Sequence, residues 1–286
     1  MFSNLVLSGG GLGGITYFGC YKYICENSEL KNNIKNILGA SSGAIFSLFF
    51  IFDVSFNECI IFMDKLKHLN MKNIQLKSFL NLKHKFGLDN GDKMKDMIKI
   101  IYDIKNVRYN ITFTEIAKQY GKNLIIATAN VSQSKLFYFC VDNTPDVEVL
   151  NAIRASISIP FIFTPYIHND DYHVDAFIYN NFPIEYFQKS YEHTIGLNLI
   201  TQRKPIIGLF SFIQNIFDSM IHYNSSNKIK ENECKLITQG NGFNIQNMSF
   251  DLNKNELEAH IDYGYETLKT FIENKITSLQ RNSIDR

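Results

Sequence analysis

The order of apolar and polar positions divides the chain into short strands and longer helices. Short runs of mostly apolar residues predict strands. These runs occupy residues 4–8, 34–38, 123–131, 135–141, 172–174 and 194–200. Stretches in which apolar residues recur every three or four positions predict helices, because such residues share one helix face. These stretches occupy residues 15–24, 43–52, 56–68, 92–104, 114–120, 146–156, 206–222 and 255–280.

The alternation of these elements predicts the fold class. Strands and helices follow one another along the whole chain, without a repeat, a low-complexity tract or a long linker. Strand 123–131 is too apolar to have a solvated face, so it belongs inside a covered sheet. The pattern predicts one α/β domain over residues 1–286, a three-layer α/β/α sandwich around a mostly parallel central sheet. The C-terminal region, residues 205–280, is predicted to be helical.

Three local predictions complete this outline. Residues 70–90 show no clear periodicity and are predicted to be irregular. Pro160 and Pro165 are predicted to bracket a loop that is rich in phenylalanine. Thr112 or Thr114 is predicted to cap the helix that follows, because a threonine hydroxyl can accept a helix-opening N–H.

Composition and charge narrow the class of protein. Apolar residues make up 45% of the chain, enough for a substantial core, and the formal net charge of +1 gives no argument for a nucleic-acid partner. The five cysteines form no CxxC pair, which predicts no disulfide framework and a reducing, cytoplasmic location. The N-terminus lacks the basic start of a signal peptide. The longest apolar stretch, Ala44 to Phe52, is half of the roughly 20 residues that a membrane-spanning helix needs.

A glycine-flanked serine follows the second predicted strand. Residues 39–43 read Gly-Ala-Ser-Ser-Gly, which matches G-x-S-x-G between a strand and a helix. Such a turn holds its serine in a strained backbone, so Gly39 and Gly43 leave the room that this nucleophile elbow needs. The N-terminus of the next helix stabilises negative charge beside the serine. The pattern predicts Ser41 as a nucleophile, although a glycine-capped turn also fits.

A second glycine-rich segment, residues 9–14, follows the first strand. Consecutive glycines let backbone N–H groups converge on an anion, either a phosphate or the oxyanion of an acyl-transfer reaction. The spacing also matches G-x-G-x-x-G, so a dinucleotide site is an alternative. A dinucleotide fold would place an acidic residue at the end of the second strand. Here that strand ends in glycine, alanine and serine, which argues against a nucleotide.

The candidate bases lie in the second half of the chain. Asp175 follows a short strand, where a fixed carboxylate can accept a serine proton, although a surface turn is also compatible with it. A Ser–His–Asp triad is the alternative. The histidines that follow Ser41 are each predicted to be solvated loop residues: His168, His173, His193, His222 and His260. Asp170 and Asp171 are predicted to form a turn. No cluster of carboxylates suggests a metal site.

In this order, the glycine-rich segment, the serine elbow and the distal aspartate resemble the patatin-like phospholipases. The resemblance is clearest over residues 4–190. Further matching segments are Gly87–Asp92, the run from Arg154 to Pro160, and Asn181 with Pro183. Two positions depart from the family pattern, which usually has a basic residue at Gly13 and glycine at Ala176.

The resemblance implies a function and a mechanism. It implies a lipid acyl hydrolase with a dyad of Ser41 and Asp175, an acyl-enzyme intermediate, and an oxyanion hole formed by the N–H groups of Gly9, Gly10 and Gly11. We expect no cofactor and no metal. The expected substrate is a phospholipid or another acyl lipid, with peripheral contact to a membrane. A catalytically weak lipid-binding or regulatory protein on the same scaffold is the alternative, because of Gly13 and Ala176. The oligomeric state is not predicted.

Overall fold

A computed structural model describes residues 2–67, 78–201, 205–225, 232–238 and 254–284. Its strands are β1 Asn4–Leu7, β2 Asn36–Ala40, β3 Gly87–Asp89, β4 Asn123–Asn130, β5 Lys135–Phe139, β6 Phe161–Phe163, β7 Tyr166–His168, β8 Asp171–Asp175, β9 Thr194–Thr201 and β10 Glu233–Thr238. Its α-helices are α1 Tyr17–Glu26, α2 Ser28–Asn33, α3 Ser42–Ile51, α4 Phe56–Lys67, α5 Ser78–Lys85, α6 Asp92–Ile104, α7 Phe113–Tyr120, α8 Val149–Ser156, α9 Leu209–Ser225 and α10 Lys254–Ile284. Segments of 3-10 helix span Gly11–Thr16, Ala176–Ile178 and Ile184–His193.

The central sheet is mostly parallel, as predicted. Its hydrogen-bonded neighbours follow the order β10-β9-β1-β2-β4-β8-β7, and β5 is a further partner of β4. Strands β10, β9, β1, β2 and β4 are parallel to one another. Strands β5 and β8 are antiparallel to β4, and β7 is antiparallel to β8. A central sheet flanked by helices confirms the predicted α/β class.

Both faces of the sheet are covered, which explains the three consecutive apolar residues of β1, Leu5, Val6 and Leu7. Leu5 and Leu7 of β1 point into the larger core on the helical face, whereas Val6 points into a smaller core on the opposite face. The smaller core is closed by Phe182 and by Ile184 from the 3-10 segment Ile184–His193. Thus the sequence pattern follows directly from burial on two sides.

Helix α3 follows β2 and lies entirely inside the protein. All ten of its residues are buried, and it contacts β2, α6 and α8. A helix that is apolar on every side needs such a covered position. No helix in the described part of the chain combines the length and apolarity needed to cross a bilayer.

Some elements differ from the predictions. The described part of the supposedly irregular stretch 70–90 forms α5 and β3, while residues 70–77 lie outside the described residues. The predicted phenylalanine-rich loop forms β6, which pairs with β3 in a separate two-stranded sheet. In the C-terminal region, α9 and α10 are helical as predicted, but β10 adds a strand to the sheet. Thr112 caps α7 in a reciprocal capping box with Glu115.

Helix α10 crosses α1 at very close range through two glycines. A Cβ atom on Gly19 would overlap the carbonyl oxygen of Ile261, and one on Gly264 would overlap that of Thr16. The Cys20 thiol lies 3.3 Å from the Gly264 carbonyl oxygen. The two helices therefore touch backbone to backbone, just after the 3-10 segment Gly11–Thr16.

Candidate active site

Ser41 occupies a strained turn between β2 and α3. Its backbone has φ 51° and ψ −123°, a conformation that a non-glycine residue adopts only at a cost of about 1–3 kcal/mol. A Cβ on Gly39 would lie 2.6 Å from Ala44 Cα, and one on Gly43 would overlap the Leu7 carbonyl oxygen. Both positions therefore require glycine, as the sequence motif predicts for a nucleophile elbow.

The turn is held by a serine that the sequence reasoning missed. The N–H of Ser41 donates to the hydroxyl oxygen of Ser156 at 2.9 Å. That hydroxyl in turn donates to the carbonyl oxygen of Ala127 at 2.7 Å. Ser156 is fully buried at the end of α8. A buried side chain thus ties the strained residue to strand β4.

The pairing of β4 explains how Asp175 approaches Ser41. Residues 126 and 127 pair with β2 on one edge of β4 and with β5 on the other edge. Residues 128–130 pair with both β5 and β8, so β8 must lie on the edge that β2 occupies earlier. Ala40 pairs with Ala127, and Asp175 pairs with Thr128. Strands β2 and β8 therefore run toward each other along one edge of β4, and their carboxyl ends meet.

The Asp175 carboxyl group is fully buried at this meeting point. Its Oδ1 accepts a hydrogen bond from the N–H of Phe177 at 3.2 Å, and its own N–H donates to the Ser158 carbonyl oxygen at 3.0 Å. Burial raises the pKa of Asp175 from 3.8 to about 7, although hydrogen bonding from the Ser41 hydroxyl and from Phe177 lowers it.

The second carboxyl oxygen, Asp175 Oδ2, is left unpaired. It is buried and makes no hydrogen bond of regular geometry within the described part of the chain. The Ser41 hydroxyl is close enough to influence the pKa of Asp175, yet it does not close a regular hydrogen bond to Oδ2. Such loose contacts are common in free enzymes and tighten when substrate binds. The arrangement offers an available lone pair beside a hydroxyl group.

The glycine-rich segment lies against the serine. A Cβ on Gly9 would be 2.8 Å from Ser41 Cβ. The N–H of Gly9 donates to the Asn181 carbonyl oxygen at 3.1 Å, so this N–H is occupied and we narrow the predicted oxyanion donors to Gly10 and Gly11. Gly11, with φ 54°, opens the 3-10 segment, and the first N–H groups of a helix have no acceptor within it.

His173 is buried, contrary to the prediction of a solvated loop. It lies on β8, where Nδ1 is 3.1 Å from Thr128 Oγ1 and the ring packs on Phe137 and Phe139. Burial lowers its pKa to about 4, and the nearby His168 adds to this effect. The pKa of Asp175 is shifted by burial and by hydrogen bonds from Ser41 and Phe177, without a contribution from this imidazole.

Three further histidines that the structure describes lie outside the contacts of Ser41 and Asp175. His193 is exposed, while His168 and His260 are half-buried, the latter 3.3 Å from the Thr16 hydroxyl. The side chain of His222 lies outside the described residues. The turn predicted for Asp170 and Asp171 is confirmed at Asp170, which has a left-handed φ of 62°, whereas Asp171 begins strand β8. The structure thus brings Asp175, and no described histidine, to the serine.

The two departures from the family pattern, Gly13 and Ala176, introduce no backbone strain at the site. Ala176 begins the 3-10 segment after Asp175 and is not among the residues with positive φ, so its methyl group adds no backbone strain. Gly13 donates its N–H to the Gly10 carbonyl oxygen at 3.0 Å, which helps to shape the glycine-rich segment.

The segment from Ser156 to Ser158 hydrogen-bonds to both Ser41 and Asp175, and a buried arginine supports this segment. Arg154 donates to the hydroxyl of Ser158 and to the carbonyl oxygens of Asn90, at 2.9 Å, and Thr164, at 3.0 Å. Burial lowers its pKa to about 10. A Cβ on Gly91 would overlap its guanidinium group. The run from Arg154 to Pro160 matches the family pattern, but the sequence alone assigns no role to its polar residues.

Within the described residues, no group of three or more histidine, cysteine or acidic side chains is arranged to hold a metal ion.

Known proteins share the sequence pattern of this chain. The family described as Patatin-like phospholipase matches residues 5–187. The uncharacterized protein R571 of Acanthamoeba polyphaga mimivirus is 30% identical over 280 residues, which cover 93% of this chain and 92% of that protein. The probable lipid hydrolase 463L of Invertebrate iridescent virus 6 is 30% identical over 187 residues, which cover 64% of this chain and 62% of that protein.

Solved structures share the fold. VipD of Legionella pneumophila matches with a TM-score of 0.61 and 17% identity, over 96% of this chain and 67% of its own. ExoU of Pseudomonas aeruginosa, in its complex with SpcU, matches with a TM-score of 0.51 and 16% identity, over 96% of this chain and 52% of its own. The family match covers more than half of the chain and includes the glycine-rich segment, the serine turn and the buried aspartate. This chain therefore belongs to the patatin-like phospholipase family.

Proposed function

We propose that this protein is a lipid acyl hydrolase of the phospholipase A or lysophospholipase type, which uses Ser41 as nucleophile and Asp175 as base. The supporting observation is the buried carboxyl of Asp175, with one unpaired oxygen, beside the strained Ser41. A pKa of about 7 suits a base that must accept a proton near neutral pH and release it again.

The first half of the proposed reaction forms an acyl-enzyme. Ser41 Oγ attacks the ester carbonyl carbon while Asp175 takes the hydroxyl proton. The carbonyl oxygen becomes an oxyanion, which the N–H groups of Gly10 and Gly11 and the N-terminus of α3 stabilise. When the tetrahedral intermediate collapses, the ester C–O bond breaks and Asp175 returns its proton to the departing alcohol.

The second half releases the fatty acid. Asp175 takes a proton from a water molecule as that water attacks the acyl-serine ester, and the same N–H groups bind the second oxyanion. The C–O bond to Ser41 then breaks and the proton returns to Ser41 Oγ. Each step needs only a base and N–H donors, so we expect hydrolysis to continue in the presence of EDTA.

The apolar surface around α9 supports an acyl-lipid substrate. A cavity of about 660 Å³ lies between α9 and Ile178, the last residue of the 3-10 segment that follows Asp175. Phe177 packs on Phe217 of α9, with ring centroids 5.0 Å apart. Ile207 and Phe212 are exposed nearby. Exposed apolar groups of this kind favour contact with acyl chains or a membrane surface, so we also propose peripheral membrane contact. We further propose a cytoplasmic location, from the number and spacing of the cysteines.

A fluorophosphonate probe tests the proposal directly, because it labels activated serines. We expect the wild type to be labelled and to release fatty acid from phosphatidylcholine vesicles, and Ser41→Ala to do neither. Asp175→Asn should lose both reactions while remaining folded by circular dichroism. A folded wild type that takes up no label would instead support the lipid-binding protein on the same scaffold. Retained hydrolysis in Asp175→Asn would reject the dyad.

A further inference from the structure

Asn181 forms two hydrogen bonds with Gly9, the residue that precedes the proposed oxyanion donors. Its carbonyl oxygen accepts the N–H of Gly9 at 3.1 Å, and its side-chain Nδ2 donates to the carbonyl oxygen of Gly9 at 2.8 Å. Asn181 is buried, with 5% of its surface exposed. A single asparagine therefore binds both polar groups of one glycine, across 172 positions of the sequence.

The hydrogen bond from Asn181 to the Gly9 carbonyl oxygen also determines the direction of the Gly10 N–H group. The carbonyl of Gly9 and the N–H of Gly10 belong to the same planar peptide, and no peptide in the described chain is cis. In a trans peptide the C=O and N–H bonds point in opposite directions. The hydrogen bond from Asn181 Nδ2 to Gly9 thus aims the N–H of Gly10 away from Asn181.

The peptide between Gly9 and Gly10 needs hydrogen bonds from other residues to fix its orientation. Successive glycines have the widest choice of backbone angles, so the peptide between Gly9 and Gly10 is free to rotate unless something holds it. A second donor, the Ser8 hydroxyl, also reaches the Gly9 carbonyl oxygen, at 3.0 Å. The room for Asn181 depends on the same glycine, because a Cβ on Gly9 would overlap the asparagine side chain.

We propose that Asn181 is a positioning residue that orients the Gly10 N–H as an oxyanion donor through its hydrogen bond to the Gly9 carbonyl. This inference rests on the proposed function. Asn181 also lies six positions after Asp175, so one segment carries the base and aims the donor. An N–H group held in advance stabilises the transition state more than the bound substrate, because it needs no reorganisation when charge develops.

The first test compares kcat and KM for Asn181→Ala and Asn181→Asp on a soluble ester. Complete loss of an oxyanion donor costs about 10²–10³ in rate, so misdirecting one should lower kcat by about tenfold to a hundredfold with KM changed less than about twofold. Asn180→Ala is the matched control. Asn180 is buried next in sequence, but its side chain bonds to Glu185 and to the N–H of Phe182, so we expect a loss of stability without a loss of kcat.

The pH dependence of Asn181→Asp separates orientation from simple structural support. The introduced carboxyl can donate to the Gly9 carbonyl only when it is protonated, and burial raises its pKa. We expect the ratio of variant to wild-type kcat to rise at least about tenfold from about pH 9 to about pH 5, as the donor returns. A ratio that does not change with pH would mean that Asn181 only supports the fold.

A double-mutant cycle with Ser8→Ala completes the test. Because Ser8 and Asn181 hold the same peptide, their effects on kcat should be non-additive. Wild-type kcat in folded Asn181→Ala, together with labelling that still requires Ser41, would overturn this inference and leave the proposed function intact. A wild type that is neither labelled nor active would overturn both.

Discussion

The interior of the sheet and the edge where β1, β2 and β8 end are stabilised in different ways. The interior is held by many buried apolar side chains, such as Leu38 and Ile125. The edge is held by individual hydrogen bonds from buried polar groups, among them Ser156 and Asn181. The interior therefore resists change as a whole, whereas at the edge a single residue can alter the chemistry.

The edge also retains two features that are unfavourable for stability. Ser41 has a strained backbone, and Asp175 is a buried carboxyl with an unpaired oxygen. Both reduce stability, and both are what the proposed reaction needs. The comparison teaches that stability and activity should respond to different substitutions, and in places in opposite directions.

The largest expected effect comes from Asp175→Asn, which should separate activity from stability. Loss of a general base should lower kcat/KM by about 10²–10⁴. Burial raises the pKa of Asp175 in the folded protein from the ordinary 3.8 to about 7. The free energy of unfolding therefore falls as pH rises from about 4 to about 7, and it stays at the lower value above pH 7 because the buried carboxylate is then charged. Asparagine carries no charge, so the free energy of unfolding near pH 8 should rise by about 1–3 kcal/mol. Urea unfolding of both proteins measures this, and a less stable variant would contradict it.

Leu124→Ala should have the reverse effect. Leu124 is buried at the amino end of β4, where it pairs with Ile37, away from the end that pairs with Asp175. Truncation of a buried leucine costs about 2–5 kcal/mol. We expect that loss in the free energy of unfolding, with kcat per labelled molecule within about twofold of wild type. A matching loss of kcat would mean that the interior and the edge are not separable.

The pH profile should report the edge alone. Since Asp175 must be deprotonated to act as a base, kcat/KM should rise about tenfold per pH unit below its pKa and level off above about 7. Leu124→Ala should keep this midpoint. A midpoint near 4 would show that the base is an ordinary solvated carboxyl.

Ser156→Ala should give the smallest effect. It removes the acceptor of the Ser41 N–H and should lower kcat about tenfold, because small displacements at a reacting group are costly. Ser47→Ala is the control, since Ser47 is equally buried but bonds only to the Ala44 carbonyl within α3. Equal activity in the two variants would remove Ser156 from the positioning of Ser41.

The sequence predicted those parts of the fold whose cause is local. Strand β4 was recognised because burial on both faces leaves an uninterrupted apolar run at residues 124–127. Helix α6 was predicted with its observed bounds because one of its faces is apolar. Strands β3 and β6 were missed. Each has three residues, and their pairing, Gly87 with Phe161, is decided by tertiary contact that leaves no periodic pattern.

The candidate site shows the same division. Ser41 could be predicted from flanking glycines, which report a local steric need. The acceptor for its N–H could not, because Ser156 reaches it only once α8 is packed against β4. His173 was predicted to be a solvated loop residue, yet it lies on β8, where pairing with both β4 and β7 buries it.

The crossing of α10 over α1 limits which fragments of this chain can fold independently. The family match ends at residue 187, before β9, the neighbour of β1, and long before Gly264, which lies against Thr16. A fragment of residues 5–187 would leave β1 as a bare edge and uncover the groove around Gly19. Exposed strand edges adhere to one another, so such a fragment is expected to aggregate instead of serving as a minimal enzyme.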